Sequence, residues 1–182
     1  FLETLLDKFN KLGDFSALAP VIYTNGKPRS CLISPKPLFS NLIYYVLDSS
    51  FKPKFGSITK SGLPIGINTE FDKNNECSLV RSSWLPGACI IHRTSNLIND
   101  WEYPFEGKAY AEDLIHSQLM KKNKIILYVD RDIILNVNEE SASSIQSLMN
   151  YISGKISLYR ALTSVPGINP SLPRYSLFSL IY

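Results

Sequence analysis

Two adjacent carboxylates, Glu112 and Asp113, stand directly before an apolar run in Tyr110-Ala111-Glu112-Asp113-Leu114-Ile115-His116-Ser117. A carboxylate ionised at neutral pH and set beside a hydroxyl is a general base, and a helix N-terminus is a favourable place for negative charge. The plain alternative is that Asp113 caps the helix and Glu112 is a first-turn acid. Upstream lies Trp84-Leu85-Pro86-Gly87-Ala88-Cys89-Ile90-Ile91-His92-Arg93. Pro86 fixes φ and Gly87 permits a close backbone approach. Ala88 to Ile91 is nearly all apolar, as in a strand covered on both faces. The order predicts Gly87 to Ile91 as a buried central strand and Asp113 at a helix start.

Other residue types carry weaker signals. Trp101, Tyr103 and Phe105 alternate with Asp100, Glu102 and Glu106, which suits a sugar site: rings stack on pyranose faces while carboxylates accept hydroxyl protons. The alternative is a loop pinned to the core by its aromatics. Lys124 to Val129 reads as a strand followed by Asp130-Arg131-Asp132, a pair of metal ligands or a plain turn. Glu112 and His116 stand at i, i+4 with no further ligand close by. His92, His116 and the cysteines form no zinc set, and Ser117 has no evident base. No P-loop or G-x-G-x-x-G occurs, which removes hydrolase and dinucleotide readings.

These residues need elements to position them. Phe1, Leu2, Leu5, Leu6, Phe9 and Leu12 fall on one helical face, with Gly13 as its natural C′ residue. Ala17 to Tyr23 reads as a strand and Thr24-Asn25-Gly26-Lys27 as its turn, with Arg29 to Ser34 available to pair back. Pro37 to Leu47 is a second helix by its pattern. Residues 49–83 hold no period and suit a functional connection. Helix 112–122 has Leu114, Ile115 and Leu119 as its stripe, Lys121 and Lys122 in its last turn, and Asn123 to end it. Ile133 to Val137 extends or reverses the Lys124 strand. Glu139 to Leu162 reads as helical, and the chain closes on a tail containing Pro166, Pro170 and Pro173.

With 182 residues the chain can bury a sizeable core, and 45% hydrophobic with 19% charged residues is ordinary for a globular protein. A net charge of +3 predicts no nucleic-acid partner. Between Thr24 and Gly66, however, Lys27, Arg29, Lys36, Lys52, Lys54 and Lys60 face Asp48 alone, a local excess suited to phosphates, an anionic membrane surface or plain solvation. Three widely spaced cysteines predict free thiols in a reducing compartment. No stretch is apolar enough to predict a membrane span. The opening on a helix, without an initiator Met, predicts a piece of a longer protein.

Taken together, W-L-P-G-A, a hydrophobic strand ending in a basic residue, an aromatic-rich loop, Y-A-E-D-L-x-x-S-x-L and K-I-I-L-Y-V resemble the distal half of the family 2 glycosyltransferases. The resemblance is clearest from about Ser83 to Asn136 and weaker from Phe1 to Val21. It implies an α/β protein of the GT-A, Rossmann-like fold, a mixed sheet flanked by helices. Residues 1–138 would form the distal part of that domain and residues 139–182 a C-terminal helical extension with a Pro-containing tail. It implies inverting transfer from a nucleotide-sugar donor to a saccharide or lipid-linked acceptor, in bacterial surface polysaccharide synthesis. The setting would be cytoplasmic, peripheral at the inner membrane face. Asp113 would be the base, and Glu112 would orient the acceptor. Trp84, Gly87, Ala88, Arg93, Trp101 and Tyr103 would line the substrate site. Two departures stand out. The family's acidic, metal-binding half would precede Phe1, and Asn136 stands where many members have a histidine. Manganese or magnesium is therefore expected in a full-length parent and not in this chain by itself. Two alternatives remain open: a retaining GT-A transferase of the glycogenin type using Asp130 and Asp132 as its D-x-D, and a non-catalytic carbohydrate-binding or scaffold domain.

Overall fold

The computed structural model of the protein describes residues 1–24, 26–28, 42, 45–46, 48–49, 56–62, 64–65, 77–98, 112–138, 156, 159–160, 162–164 and 169–181. It is a mixed α/β structure with a mixed sheet flanked by helices. The Pro37–Leu47 helix lies mostly outside the described residues, as do the Arg29–Ser34 return, most of 139–161 and all of 99–111.

Strand β1 (Ser16–Thr24) is the centre of the sheet. Its residues from Ser16 to Ile22 are all buried, which requires cover on both faces. Strand β5 (Ile126–Val137) runs parallel along one side of it. On the other side β1 pairs antiparallel with two short strands, β2 (Lys27–Pro28) at its end and β4 (Ile91–His92) at its start. Strand β3 (Leu79–Arg81) completes the sheet against the far edge of β5. In this pairing Tyr23 stands opposite Pro28 and Thr24 opposite Lys27, and Gly26 between the strands has φ +76°, a left-handed geometry that suits a tight hairpin.

The central strand is thus β1 and not the segment after Gly87. Gly87 and Ala88 are exposed and lie in a turn, and only Ile91 and His92 pair. An apolar run of four residues does not distinguish a strand from a buried irregular segment, and Pro86-Gly87 bends the chain before pairing begins.

Alternation along β1 sends side chains to two layers. Ala17, Ala19 and Val21, with Leu127 and Val129 of β5, pack against Leu85 and against Met120 of helix α2 (Glu112–Lys122). Leu18 and Ile133 pack on the opposite face against Leu5 and Phe9 of helix α1 (Leu2–Asn10). Helix α1 has Glu3 in its first turn and Lys8 in its last, both favourable to its dipole. Its buried stripe is narrower than its apolar pattern: Phe1, Leu2 and Leu6 are exposed. Nor does Gly13 end it. Lys11 closes the helix in right-handed conformation, with its N–H and that of Leu12 donating back to Lys8 and Phe9.

Helix α2 is covered on two sides. Its outer stripe of Leu114, Ile115 and Leu119 packs against Leu162 and Tyr175, so residues near the chain end share a core with α2. Tyr175 belongs to helix α3 (Leu172–Ile181), where the sequence pattern predicts a tail. Pro173 sits in its first turn, where a missing N–H breaks no helical bond.

At its other end α2 closes through Lys124. The Lys124 N–H donates to the Lys121 carbonyl and the Ile125 N–H to the Met120 carbonyl, with Lys124 at φ +63°. This is a Schellman motif with its left-handed residue one position beyond Asn123. A lysine there is strained, so Lys124→Gly should stabilise the protein by about 0.5–1 kcal/mol, net of the entropy glycine adds to the unfolded chain. Urea unfolding of the two proteins checks this.

Candidate functional site

The segment Ser82–Gly87 joins β3 to the turn before β4 without regular structure, yet Leu85 within it is fully buried. Its backbone polar groups need partners there; Gly56, Leu127 and the Ser82 hydroxyl supply some and α2 supplies three. Gln118 Nε2 donates to the Ser83 carbonyl at 2.6 Å, and Ser117 Oγ accepts from the Leu85 N–H at 2.9 Å. Asp113 Oδ2 accepts from the Gly87 N–H at 3.2 Å. The two stretches singled out in the sequence therefore meet. At the contact the backbones leave little room: a Cβ on Gly87 would stand 3.1 Å from Asp113 Cβ. Gly87 is there for close approach and not for a left-handed φ.

Asp113 is the second residue of α2 and half-buried, whereas Glu112 is exposed. The other oxygen of Asp113, Oδ1, accepts from the Leu114 N–H at 2.8 Å. Two backbone donors thus fix the plane of the carboxylate, and each oxygen keeps lone-pair capacity for a further partner. Gly87 and Ala88 are exposed beside it. Such an arrangement can accept a proton from a bound hydroxyl.

The remaining sequence candidates are dispersed. Trp84 is half-buried against the Leu114–Tyr175 core, and its indole N–H donates to the Ile65 carbonyl at 3.1 Å, so its polar edge is engaged within the protein. Arg93 lies over the Phe9 ring, its Cζ 5.7 Å from the centroid, and its Nε is 2.9 Å from Asp14 Oδ1. That distance makes an ion pair without hydrogen-bond alignment. Trp101 and Tyr103 lie outside the described residues. Asn136 is exposed on β5, opposite Tyr23 of β1.

Asp130 and Asp132 form neither a turn nor an open pair. After Asp130 β5 bulges over Arg131 to Ile133: Pro20 of β1 pairs with Asp130, but Val21 pairs with Ile134. Proline has no N–H for the ladder, so the break falls where a ladder bond is already missing. The freed Asp132 N–H is accepted by Asp130 Oδ1 at 3.0 Å. Asp130 is fully buried, and the ammonium of Lys8 from α1 lies 2.8 Å from its Oδ2 and 3.0 Å from Asp132 Oδ2. Partial burial opposes the charge on Lys8, but hydrogen bonds and attraction from the two aspartates outweigh it and hold its pKa above the ordinary lysine value. Among the described residues no group of three or more His, Cys, Asp or Glu is placed to hold a metal ion.

The two histidines come together from different elements. His92 of β4 and His116 of α2 have ring centroids 6.1 Å apart, and His92 Nδ1 lies 3.1 Å from the Arg93 carbonyl. Burial, and then the neighbouring His92, push the His116 pKa below its ordinary value. Burial likewise raises the Cys89 thiol. No sequence signal paired the histidines, because the residues are 24 apart and meet only through the sheet and helix packing.

Comparison of the chain with protein-family models, with curated proteins and with solved structures returns no match. No helix among the described residues is long and apolar enough to cross a membrane.

Two predictions concern these titratable groups. Lys8→Met leaves the buried Asp130 carboxylate without its counter-charge and should cost about 3 kcal/mol, the low end for a broken buried pair because Lys8 is partly exposed. Chemical denaturation measures it, with Lys8→Arg as the charge-preserving control. For His116 the folded pKa lies below the unfolded one, so the unfolded chain binds the proton first as pH falls. Stability is therefore lost as pH drops below about 6.5 and the loss levels off below the folded pKa. Urea midpoints at pH 7.5, 6 and 5 should show this fall, and His116→Gln should flatten it.

Proposed function

We propose that the chain is the distal, acceptor-side part of an inverting, nucleotide-sugar-dependent glycosyltransferase of the GT-A type, resembling family 2, with Asp113 as its base. The observation that carries this reading is the contact between Gly87 and Asp113. The glycine turn and the paired acids lie 26 residues apart in the chain, and they meet at a 3.2 Å hydrogen bond beside an exposed Gly87 and Ala88. Small residues next to an oriented carboxylate leave room for a sugar ring.

In the reaction, Asp113 takes the proton from an acceptor hydroxyl as that oxygen bonds to the anomeric carbon of the donor. The bond from that carbon to the nucleoside diphosphate breaks on the opposite face, and the configuration inverts. Glu112, exposed one residue earlier, orients the acceptor through a second hydroxyl. The acceptor is a saccharide or lipid-linked saccharide of a bacterial surface polysaccharide, handled on the cytoplasmic side at the membrane face. Manganese or magnesium is implied by the resemblance, but the described residues do not fit it. Asn136 has no ligand set around it, and Asp130 and Asp132 already share Lys8. No step here runs through a metal.

The test is Asp113→Asn in the full-length protein. It is assayed by release of UDP or GDP from a panel of UDP-glucose, UDP-galactose, UDP-N-acetylglucosamine and GDP-mannose, with octyl glycosides as acceptors. Turnover should fall on the order of 10²–10⁴-fold with little change in donor affinity. Stability should fall only by about 1 kcal/mol, because asparagine can replace one of the two accepting oxygens and not both. Undiminished turnover in the folded variant removes the mechanism.

A further inference from the structure

We infer that Ser117, with Gln118 beside it, is a positioning residue for the Asp113 carboxylate. The two side chains hold Ser83–Gly87 at the height along α2 where Gly87 can donate to Asp113. The inference rests on the reading of Asp113 as the base.

Three contacts run in order along the helix. Ser83 meets Gln118, Leu85 meets Ser117 and Gly87 meets Asp113, so the segment descends α2 as the helix rises. The spacings agree. Asp113 and Ser117 lie four residues apart on one helix face, about 6 Å along the axis. Leu85 and Gly87 are two residues apart and can span up to about 7 Å. Ser117 and Leu85 are both fully buried. A hydroxyl inside a helix is tolerated in such a place only when bonded, and alanine would serve the helix itself better. The oxygen of Ser117 is explained by Leu85, and Leu85 is the fixed point two residues before Gly87. Without that anchor the Gly87 N–H leaves Oδ2, and the carboxylate loses one of the two donors that set its plane. Displacing a reacting group by about 1 Å can cost on the order of 10²-fold in rate.

Hydrogen exchange at the Gly87 amide and turnover with the same donor panel test this together in the full-length protein. In Ser117→Ala, exchange at Gly87 should accelerate about tenfold or more while amides in the last turn of α2 keep their protection. Turnover should fall about 10- to 100-fold at unchanged donor KM, and Ser117→Thr, which keeps the acceptor oxygen, should restore it. In an Asp113→Asn background, Ser117→Ala should cost nothing further. Unchanged exchange at Gly87, wild-type turnover in Ser117→Ala, or the same loss in the Asp113→Asn background would each overturn the assignment. Full turnover in Asp113→Asn instead sinks the base reading alone, and the exchange result then decides the positioning by itself. Should Ser117→Ala fail to fold, Gln118→Met, which removes the donor to Ser83, takes its place. Faster exchange at Gly87 with reduced turnover in that variant supports the positioning role, and wild-type exchange or wild-type turnover overturns it.

Discussion

The architecture around the candidate site depends on one constraint. An irregular segment, Ser82–Gly87, is half-buried around a fully buried Leu85 and must find partners for the backbone groups it withdraws from water. It finds three of them on α2, whose Asp113, Ser117 and Gln118 are spaced to meet Gly87, Leu85 and Ser83, and others on Gly56, Leu127 and the Ser82 hydroxyl. Those bonds set the distance between α2 and the segment, and with it the exposure of Gly87 and the aim of the carboxylate. Leu85 and Met120 then fill the space between α2 and the sheet. The polar clasp and the apolar layer act at the same contact: one sets register along the helix, the other holds the layers together.

A second chain of consequences starts at Pro20. A proline in a central parallel strand leaves a gap in the ladder, and the bulge in β5 falls opposite it. Asp130, two residues after Tyr128 on the α1 face of β5, stands at the edge of the bulge, where its carboxylate accepts the freed Asp132 N–H and meets Lys8 from α1. An acidic pair that resembles a metal motif in the sequence is, in the fold, the joint between β5 and α1. Lys8 supplies the positive charge from within the chain, and the pair's main effect is on where α1 sits.

Burial on both sides explains why α2 was only partly legible. Its stripe of Leu114, Ile115 and Leu119 was readable from spacing and faces Leu162 and Tyr175. Ser117 and Met120 on its other face, and Gln118 beside the stripe, are buried as well. Polar residues at those positions are accounted for by backbone groups of a distant segment, and no local pattern reports such a partner. The same limit applies to His92 and His116, and to Trp84, whose indole N–H is engaged by Ile65.

Features with local causes were legible along the chain. The apolar run of β1 and its Asn-Gly turn, the amphipathic start of the chain, the acid-led beginning of α2 and the strand after Lys124 all follow from periodicity and turn chemistry within a few residues. The order of the motifs gave a turn and a helix start, and the contact of Gly87 with Asp113 came with the fold. That β1 and not the Gly87 segment is central came from long-range packing, because centrality depends on which strands pair with it. The same packing also decided that β5 continues through the Asp130–Asp132 bulge and that the proline-containing end folds as a helix onto α2. Each of these outcomes rests on a partner far away in the chain: a missing N–H at Pro20, an ammonium at Lys8, an apolar surface on α2. Residue spacing along the chain carries no record of those partners until the layers have packed.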